Sequence, residues 1–275
     1  MGPPALSIVI VSYNARRELA GCLDSLDAHP PGLTAEVVVV DNASPDGSAD
    51  VVEARGPRVR LIRLARNAGF AAANNVGIRA TSGDLILLLN SDTLVGPGSI
   101  DTLAARLRAH PTAAAAGPRL VDGDGRAELS FGPMISPFAE LRQKVVMALH
   151  RREFPPISTR VERATSREQF VDWVSGAALL VRRADAEAVG LLDERFFLYT
   201  EDVDFCAALR ARGRRILFAP AAVITHLRGR SRASARAAMN AAYRRSQLAF
   251  YRKHHPRWAP ALRLYLRMKG QLPRE

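Results

Sequence analysis

Short apolar runs alternate with amphipathic segments along the first half of the chain. The apolar runs predict four β-strands, at residues 7–13, 36–42, 59–64 and 84–90. Between them apolar residues recur at helical spacing, as Leu19, Cys22 and Leu26 do, and further helices are predicted at residues 69–80 and 99–110. This alternation is typical of an α/β fold in which a mostly parallel central sheet is flanked by helices.

The pattern is less regular in the second half. It predicts a short strand near residues 127–131, a helix near 138–150 and a mobile loop over 151–168. A strand at 176–183, a helix at 203–212 and two short strands at 215–220 and 222–227 follow. We therefore predict one domain over residues 1–232, divided near residue 120, and a basic helical extension over residues 233–275.

Charge is concentrated near the C-terminus. The net charge is +12, and after Asp204 the only acidic residue is Glu275. This basic segment suits an anionic membrane surface, or equally the solvated face of a helix packed on the domain. No nucleic-acid-binding module accompanies it, so nucleic acid is not an expected partner.

Cysteine use and hydropathy bear on the compartment. Cys22 and Cys206 each lie in an apolar helical segment, so packing in a reducing compartment is expected rather than a disulfide framework. The N-terminal segment lacks the basic region of a signal peptide, and no run reaches the ~18 apolar residues that span a bilayer. We expect a cytoplasmic protein, either free or peripheral on the inner face of the cell membrane.

Small polar clusters end three of the first four predicted strands: Ser12-Tyr13-Asn14, Asp41-Asn42-Ala43-Ser44 and Asn90-Ser91-Asp92. Each cluster alone is also typical of turns and helix caps. Ligands of open α/β sheets bind beyond the C-terminal ends of the strands, so three clusters there predict a crevice suited to a nucleotide. Neither a GxxxxGK[ST] loop nor a GxGxxG after the first strand is present.

Three further positions carry candidate chemistry. Asp92 offers an oxygen ligand for Mg²⁺ or Mn²⁺, although the same segment would also cap the next helix. Glu201 and Asp202 follow aromatic residues and open a helix, where acids either complement the helix dipole or, when partly desolvated, serve as a general base. His226 ends a short strand and is a second candidate for metal or diphosphate, although a lone histidine is more often structural.

Seven motifs in order carry a resemblance to a known family: SIVIVSYN, VVVVDNASPDGS, RNAGFAAANNVGI, LLLNSDT, WVSGAALLVRR, FFLYTEDVDFCAALRARG and THLRGRS. Over roughly residues 6–255 the chain resembles family 2 inverting glycosyltransferases of the GT-A fold, particularly bacterial rhamnosyltransferase-like members. The resemblance implies a Rossmann-like GT-A domain, with a nucleotide-sugar half at about 1–120 and an acceptor half at about 121–232.

The resemblance also implies a role for each motif. Nucleotide and donor binding would fall to Ser12, Tyr13, Asn14, Asp41, Asn42, Ser44, Arg66, Asn67, Gly69, Asn74, Asn90 and Ser91. The donor sugar and acceptor would meet Trp173, Ser175 and Gly176. Asp92 matches the last position of the DXD-equivalent and His226 a third metal ligand, so these two would hold the metal. Asp202 would be the catalytic base, with Glu201 orienting or assisting it.

The implied reaction is a single displacement that inverts the anomeric centre, with Mg²⁺ or Mn²⁺ as cofactor. L-rhamnose from dTDP-rhamnose is the first choice of donor, and UDP- and GDP-sugars are alternatives. The expected acceptor is a glycan or glycolipid hydroxyl in cell-wall or polysaccharide synthesis, including polyprenyl-linked ones. Two other classes stay open at this point, namely a nucleotidyltransferase that makes sugar nucleotides and a catalytically inactive nucleotide-sugar-binding protein.

Overall fold

A computed structural model describes residues 3–152, 154–227 and 233–273. The strands are β1 Leu6–Ser12, β2 Ala35–Asp41, β3 Arg60–Arg63, β4 Leu85–Asn90, β5 Thr93–Val95, β6 Ala113–Val121, β7 Phe131–Gly132, β8 Gln169–Val171, β9 Trp173–Val174, β10 Ala178–Arg182 and β11 Arg215–His226. The helices are α1 Arg16–Ala28, α2 Ser48–Glu53, α3 Phe70–Arg79, α4 Ser99–Ala109, α5 Pro137–Arg151, α6 Pro155–Thr165, α7 Arg183–Ala188, α8 Glu201–Ala211, α9 Ala233–His254 and α10 Ala259–Met268.

The first four strands form the parallel part of the main sheet, in the order β3-β2-β1-β4. Successive side chains of a strand point to opposite faces, and both faces of β1 are covered. Ile8 and Ile10 belong to the core that includes α1, whereas Val9 belongs to the core that includes α3. The shared register brings the C-terminal ends of these strands to one edge, with Ser12 opposite Asp41.

The second half of the chain completes the sheet. Strand β10 lies antiparallel between β4 and β6, and β11 is parallel to β6. Strands β5 and β8 pair antiparallel with β11, and β7 and β9 form a separate small sheet. The predicted α/β class is confirmed, with a parallel first half and a mixed sheet overall.

Strand β6 begins in a run of alanines, residues 113–116, for which no strand was predicted. Alanine has a weak intrinsic preference for strands, so the run carries no strand signal of its own. All four side chains are buried, and the run pairs with β10 and β11. Only the neighbouring strands make this segment extended.

The mobile loop predicted at residues 151–168 is wrong, because α6 occupies most of it. Pro155 and Pro156 lie in the first turn of α6, where a backbone N–H has no partner within the helix. Val161 and Thr165 are buried. The two strands predicted at 215–220 and 222–227 are one strand, β11, which shifts register between Ala219 and Val223, around a proline that lacks the N–H for regular pairing.

The C-terminal extension is helical, as predicted, and contains α9 and α10. In α9, Leu248, Phe250 and Tyr251 are buried, and the last two join the core cluster that holds β10. Helix α9 therefore packs on the main domain. Within the described ranges, no helix is long and apolar enough to cross a membrane. The predicted boundary near residue 232 lies outside the described residues, and so does the basic loop after Leu227.

Candidate active site

The ends of β1, β2 and β4 bring a cluster of polar residues to one edge of the sheet. Ser12 and Asp41 are almost completely buried there, and Asn90 is partly buried. Ser12 Oγ, Asp41 Oδ1, Asn90 Oδ1 and, from α3, Asn74 Oδ1 are buried atoms for which no hydrogen-bond partner is found among the described residues. Buried polar groups in native proteins nearly always have partners. Four such atoms among the predicted nucleotide-binding residues therefore mark a place for a polar ligand.

Two loops at this edge are held together by backbone and side-chain contacts. Asn14 N–H donates to Ser44 Oγ at 3.0 Å, and Ser44 N–H donates to Asp41 Oδ2 at 3.2 Å. Asn14 and Ala43 have φ angles of 53° and 63°, in the left-handed region that non-glycine residues rarely adopt. Tyr13 is half exposed at the rim. The side chain of Tyr13 is therefore accessible at this edge of the sheet.

The side-chain amide of Asn42 binds the loop formed by residues 67–69. Its Nδ2 donates to Asn67 Oδ1 at 2.9 Å and to the Gly69 carbonyl at 3.2 Å, and its Oδ1 accepts from Ala68 N–H at 2.8 Å. The amide is thus fully engaged with protein atoms. We expect Asn42 to hold the 67–69 loop in place rather than to touch a nucleotide, while Arg66 lies exposed at the start of this loop.

Gly69 lies where two motifs meet. Its φ is +89°, and a Cβ there would come within 2.6 Å of the Phe197 carbonyl oxygen. The next residue, Phe70, donates its N–H to that same oxygen at 2.6 Å. The loop from the RNAGF motif therefore rests directly on the segment that leads to Glu201 and Asp202.

Asp92 and His226 meet at the end of the sheet. Strand β5 starts at Thr93 and pairs with β11 so that Thr93 is opposite His226, and Leu227 N–H donates to the Asp92 carbonyl at 2.8 Å. This pairing brings His226 Nε2 to 3.3 Å from Asp92 Oδ1. Two ligands at about 2.1 Å and a right angle on one octahedral metal would be about 3 Å apart. The pair therefore fits adjacent positions on Mg²⁺ or Mn²⁺.

Protein side chains would supply only part of a metal shell here. Among the described residues, no group of three His, Cys, Asp or Glu side chains is arranged to hold a metal ion. Mg²⁺ commonly binds through one or two protein groups and takes its remaining ligands from substrate phosphates and water. The Asp92–His226 pair matches that mode.

Glu128 is a buried acid that the sequence did not single out. Its Oε2 lies 3.2 Å from His226 Nδ1, on the opposite side of the ring from Asp92. Burial by itself would lower the pKa of His226, but the hydrogen bonds to Asp92 and Glu128 outweigh it and raise this pKa to about 9. The one signal in the sequence was an acid between Ala127 and Leu129 in a short predicted strand.

Asp202 is fixed in orientation by two backbone N–H groups. Gly176 N–H donates to Oδ2 at 2.8 Å and Val203 N–H to Oδ1 at 2.8 Å. A Cβ on residue 176 would lie 3.2 Å from Asp202 Cβ, which explains a glycine at this position. Burial raises the pKa of Asp202, and these backbone hydrogen bonds only partly oppose the rise.

Glu201 is more deeply buried than Asp202. Its Oε2 is without a hydrogen-bond partner among the described residues, and burial together with the charge of Asp202 raises its pKa well above the usual value. Tyr199 and Thr200, directly before it, have φ angles of 71° and 65°. Two successive non-glycine residues in the left-handed region store strain, which is typical of functional sites.

Strand β10 connects the two halves of the site. Asn90 N–H donates to the Ala177 carbonyl at 2.9 Å, so the segment that holds Asp202 lies beside the end of β4. Ser175 is held by its N–H to the Ser130 carbonyl at 2.7 Å. Trp173 is buried and donates its indole N–H to the Pro133 carbonyl at 2.9 Å, which fixes its ring against the segment after β7.

Two buried polar residues that the sequence left unassigned support this architecture. Asp204 accepts hydrogen bonds from Lys253 at 2.8 Å and pairs with His254 at 2.6 Å, which ties α8 to α9. Asn75 exchanges hydrogen bonds with the backbone of Leu192 and thereby holds the loop before α8 against α3. Only the tertiary fold brings these partners together.

The sheet topology is that of the GT-A fold of known glycosyltransferases. The chain belongs to glycosyl transferase family 2, which matches residues 7–186. A relative from Mycobacterium tuberculosis, named N-acetylglucosaminyl-diphospho-decaprenol L-rhamnosyltransferase, is 32% identical over 98% of this chain and 94% of its own length. The recognised resemblance to rhamnosyltransferase-like members is confirmed.

Two solved structures share the fold. The mannosyltransferase PcManGT from Pyrobaculum calidifontis, in complex with GDP-Man and Mn²⁺, has a TM-score of 0.63 and 19% identity over 95% of this chain and 69% of its own. GalNAc-T7 with UDP, GalNAc and Mn²⁺ has a TM-score of 0.60 and 17% identity over 82% of this chain. The present chain spans 44% of the GalNAc-T7 chain.

Proposed function

We propose that the protein transfers a sugar, with inversion, from a nucleoside-diphosphate donor to a hydroxyl group of a polyprenyl-linked glycan acceptor. The observation that carries the proposal is the position of Asp202. Two N–H groups fix its carboxylate beside the end of β4, from which Asp92 projects towards His226. A base and a diphosphate-binding pair at one strand end are what a single displacement requires.

Asp92 and His226 would hold the divalent cation, Mg²⁺ or Mn²⁺. A bound cation would offset the charge that develops on the departing nucleoside diphosphate. Glu128 would accept the Nδ1–H of His226, so that Nε2, which faces Asp92, becomes a ligand once the cation displaces its proton. The unpaired buried oxygens of Ser12, Asp41 and Asn90 support a nucleotide pocket at the same edge.

Asp202 would act as the general base. Its carboxylate takes the proton of the acceptor hydroxyl while that oxygen bonds to the anomeric carbon, and the bond from this carbon to the diphosphate oxygen breaks. The raised pKa of Asp202 suits it to hold that proton. Attack from the face opposite the leaving group gives the inverted configuration.

The relative from Mycobacterium tuberculosis suggests the substrates. Its name describes transfer of L-rhamnose to a diphospho-decaprenol carrying N-acetylglucosamine, and the match spans almost all of both chains. We therefore propose dTDP-rhamnose as donor and a GlcNAc-diphosphopolyprenol as acceptor, in cell-wall or polysaccharide synthesis. With a lipid-linked acceptor, the enzyme would act at the inner face of the cytoplasmic membrane.

The test is a transfer assay with purified protein. A short-chain GlcNAc-diphosphopolyprenol is incubated with dTDP-rhamnose, UDP-sugars or GDP-sugars in the presence of Mn²⁺, and NMR reports the anomeric configuration of the product. We expect transfer with inversion, and the highest rate with dTDP-rhamnose. Arg108→Glu, on the exposed surface of α4, is the control that should keep the full rate.

Different results would contradict different parts of the proposal. A product with retained anomeric configuration would rule out a single-displacement mechanism. Nucleotide binding without transfer to any acceptor would favour the inactive binding protein. Membership of family 2 leaves the nucleotidyltransferase alternative without support.

A further inference from the structure

Helix α5 presents two different faces. On one face Glu140 accepts hydrogen bonds from Tyr243, Gln247 and Tyr251 of α9, which fixes the helix against the domain. On the other face, large apolar side chains at positions i, i+3 and i+7 are exposed, namely Phe138, Leu141 and Val145. Phe138 is 75% exposed. An apolar stripe on the solvent side of an anchored helix is the reverse of the usual pattern.

Helix α10 has the same arrangement. Leu266 is fully buried and anchors the helix, while Leu264, Tyr265 and Met268 are exposed, Met268 by 79%. Trp258, directly before the helix, is half exposed and extends the stripe by one turn. Its ring meets that of Phe138 edge to face, with centroids 6.3 Å apart. The two stripes are therefore continuous.

This surface holds most of the exposed large apolar residues in the described part of the chain. Seven of twelve lie on it, namely Phe138, Leu141, Val145, Trp258, Leu264, Tyr265 and Met268. We call these seven residues the α5–α10 face. Contiguous apolar patches are uncommon on proteins that contact only water, and they mark interaction sites.

The charges around the α5–α10 face indicate the partner. Arg142, Arg257, Arg267 and Lys269 are exposed on the same two helices or beside them. The acid of α5, Glu140, points towards α9, and no acidic residue occurs from 205 to 274. Exposed tryptophan and tyrosine beside arginine and lysine are typical of helices that lie in the interface of an anionic bilayer.

We propose that the α5–α10 face docks on an anionic lipid bilayer. This differs from docking by the whole basic extension, because α9 is used for packing and α5 lies outside that extension. The face is connected to the site along the chain: α5 follows β7, whose partner β9 leads into Ser175 and Gly176, and Gly176 N–H binds Asp202. The inference rests on the proposed function only for its purpose, the delivery of a lipid-linked acceptor.

The test is sedimentation of the full-length protein with vesicles. Vesicles of phosphatidylcholine with 30–40% phosphatidylglycerol, roughly the charge of an anionic leaflet, are compared with phosphatidylcholine alone. We expect binding to the anionic vesicles, and a loss of at least about tenfold in Phe138→Ser/Leu141→Ser and in Leu264→Ser/Met268→Ser. Val223→Ser, an exposed apolar position on β11, and Arg108→Glu are matched controls that should bind normally.

Fluorescence gives a second measurement. The chain has two tryptophans, and Trp173 is buried while Trp258 is half exposed. Anionic vesicles should shift the emission to shorter wavelength, and brominated lipid should quench it. Absence of sedimentation and of the shift would overturn the inference, as would equal binding of both double variants.

The test of membrane docking can be separated from the test of sugar transfer. The double variants should keep their melting temperature and their turnover of a short, water-soluble acceptor, because every changed side chain is exposed. Vesicle binding without any sugar transfer would sustain docking and reject the function. Sugar transfer without vesicle binding would sustain the function and reject docking.

Discussion

Asp202 combines burial with two backbone hydrogen bonds, and the balance between them sets its proton affinity. Burial disfavours the charged carboxylate and raises the pKa, whereas the N–H groups of Gly176 and Val203 favour it and leave a smaller net rise. A base must be ionised to act, so activity falls as the pH falls through this raised pKa. The acidic limb reports directly on the environment of this residue.

We predict that the acidic limb of kcat lies above pH 4, the region where an ordinary aspartate titrates, at about 3.9. Rates measured between pH 4 and 8 with saturating donor and Mn²⁺ check this. Asp202→Asn should lower kcat by roughly 10²–10⁴-fold at neutral pH and leave the Kd for nucleotide unchanged. Near-normal turnover in that variant would remove Asp202 from the role.

Glu201 illustrates a stability cost at the same site. Its folded-state pKa is raised by burial and by Asp202, so the unfolded chain loses this proton at lower pH than the folded protein does. Stability is therefore lost as the pH rises from the unfolded pKa, about 4.3, towards the folded one. Glu201→Gln removes that loss.

We predict that Glu201→Gln melts at the same temperature as the parent near pH 4 and at a higher temperature at pH 7–8. Each kcal/mol of relief should add roughly 2–4 °C for a chain of this size. Calorimetry at both pH values measures the difference. Glu187→Gln, an exposed acid of α7, should show no such pH-dependent gain.

Glu128 gives a prediction that concerns metal alone. The hydrogen bond to His226 Nδ1 would orient the ring, and loss of such partners weakens metal affinity by about 10–100-fold. Glu128→Leu, whose side chain cannot accept the Nδ1–H, should therefore bind Mn²⁺ more weakly in the presence of nucleoside diphosphate, as measured by titration calorimetry. Equal affinity in this variant would show that Glu128 does not orient His226.

Among the elements, those with their own hydrophobic pattern were predictable. Strands β1, β2 and β4 were predicted within a residue or two of their observed bounds because valine, isoleucine and leucine runs are both strand-forming and buried on two faces. Strand β6 was not predictable, because a run of alanines is compatible with a strand or a helix. Only the pairing with neighbouring strands makes it a strand. Helix α6 was not predicted because prolines usually interrupt a helix, whereas here both prolines lie in its first turn.

The site was predictable to the same degree. The polar clusters follow directly from strands that the sequence reveals, so the crevice could be located. The contact of His226 with Asp92 depends on β5, a three-residue strand with no signal of its own. The family resemblance supplied this pairing in advance, whereas Glu128 and Asp204 were found only from the folded chain.

Gly69 allows a test of the loop over α3. Gly69→Ala places a Cβ within 2.6 Å of the Phe197 carbonyl, whereas Gly56→Ala meets no atom within 4 Å at a similarly positive φ. Gly56→Ala should lose about 1–2 kcal/mol of unfolding free energy through its positive φ alone. Gly69→Ala should lose more, because φ 89° with ψ 170° is a conformation that almost only glycine adopts. Only Gly69→Ala should also weaken nucleotide binding, which equilibrium titration measures; equal effects on nucleotide binding would contradict the role of this contact.

At the scale of the whole molecule, Asp204 joins the catalytic domain to the extension. It is buried, and both Lys253 and His254 of α9 bind its carboxylate. Burial would lower the pKa of Lys253, but its hydrogen bonds to Asp193 and Asp204 outweigh that and raise it. The extension is thus part of the folded unit and not an appendage.

We predict that Asp204→Asn lowers the free energy of unfolding by roughly 3 kcal/mol, the lower end for removing one partner of a buried ion pair. Urea denaturation followed by circular dichroism measures it. Asp193→Asn, which removes the more exposed partner of Lys253, should cost clearly less. An equally large loss of unfolding free energy in Asp193→Asn would show that Asp204 is not the main anchor of α9.

The hydrogen bond from Phe70 to the Phe197 carbonyl has a kinetic consequence. It joins the loop at Gly69, beside the proposed donor pocket, to the strained segment at Tyr199 and Thr200, so a displacement of one loop should move the other. A nucleotide sugar that orders the first loop would thereby complete the acceptor side. We expect compulsory-order kinetics, with the donor binding first, the acceptor second and the nucleoside diphosphate leaving last as a competitive inhibitor of the donor.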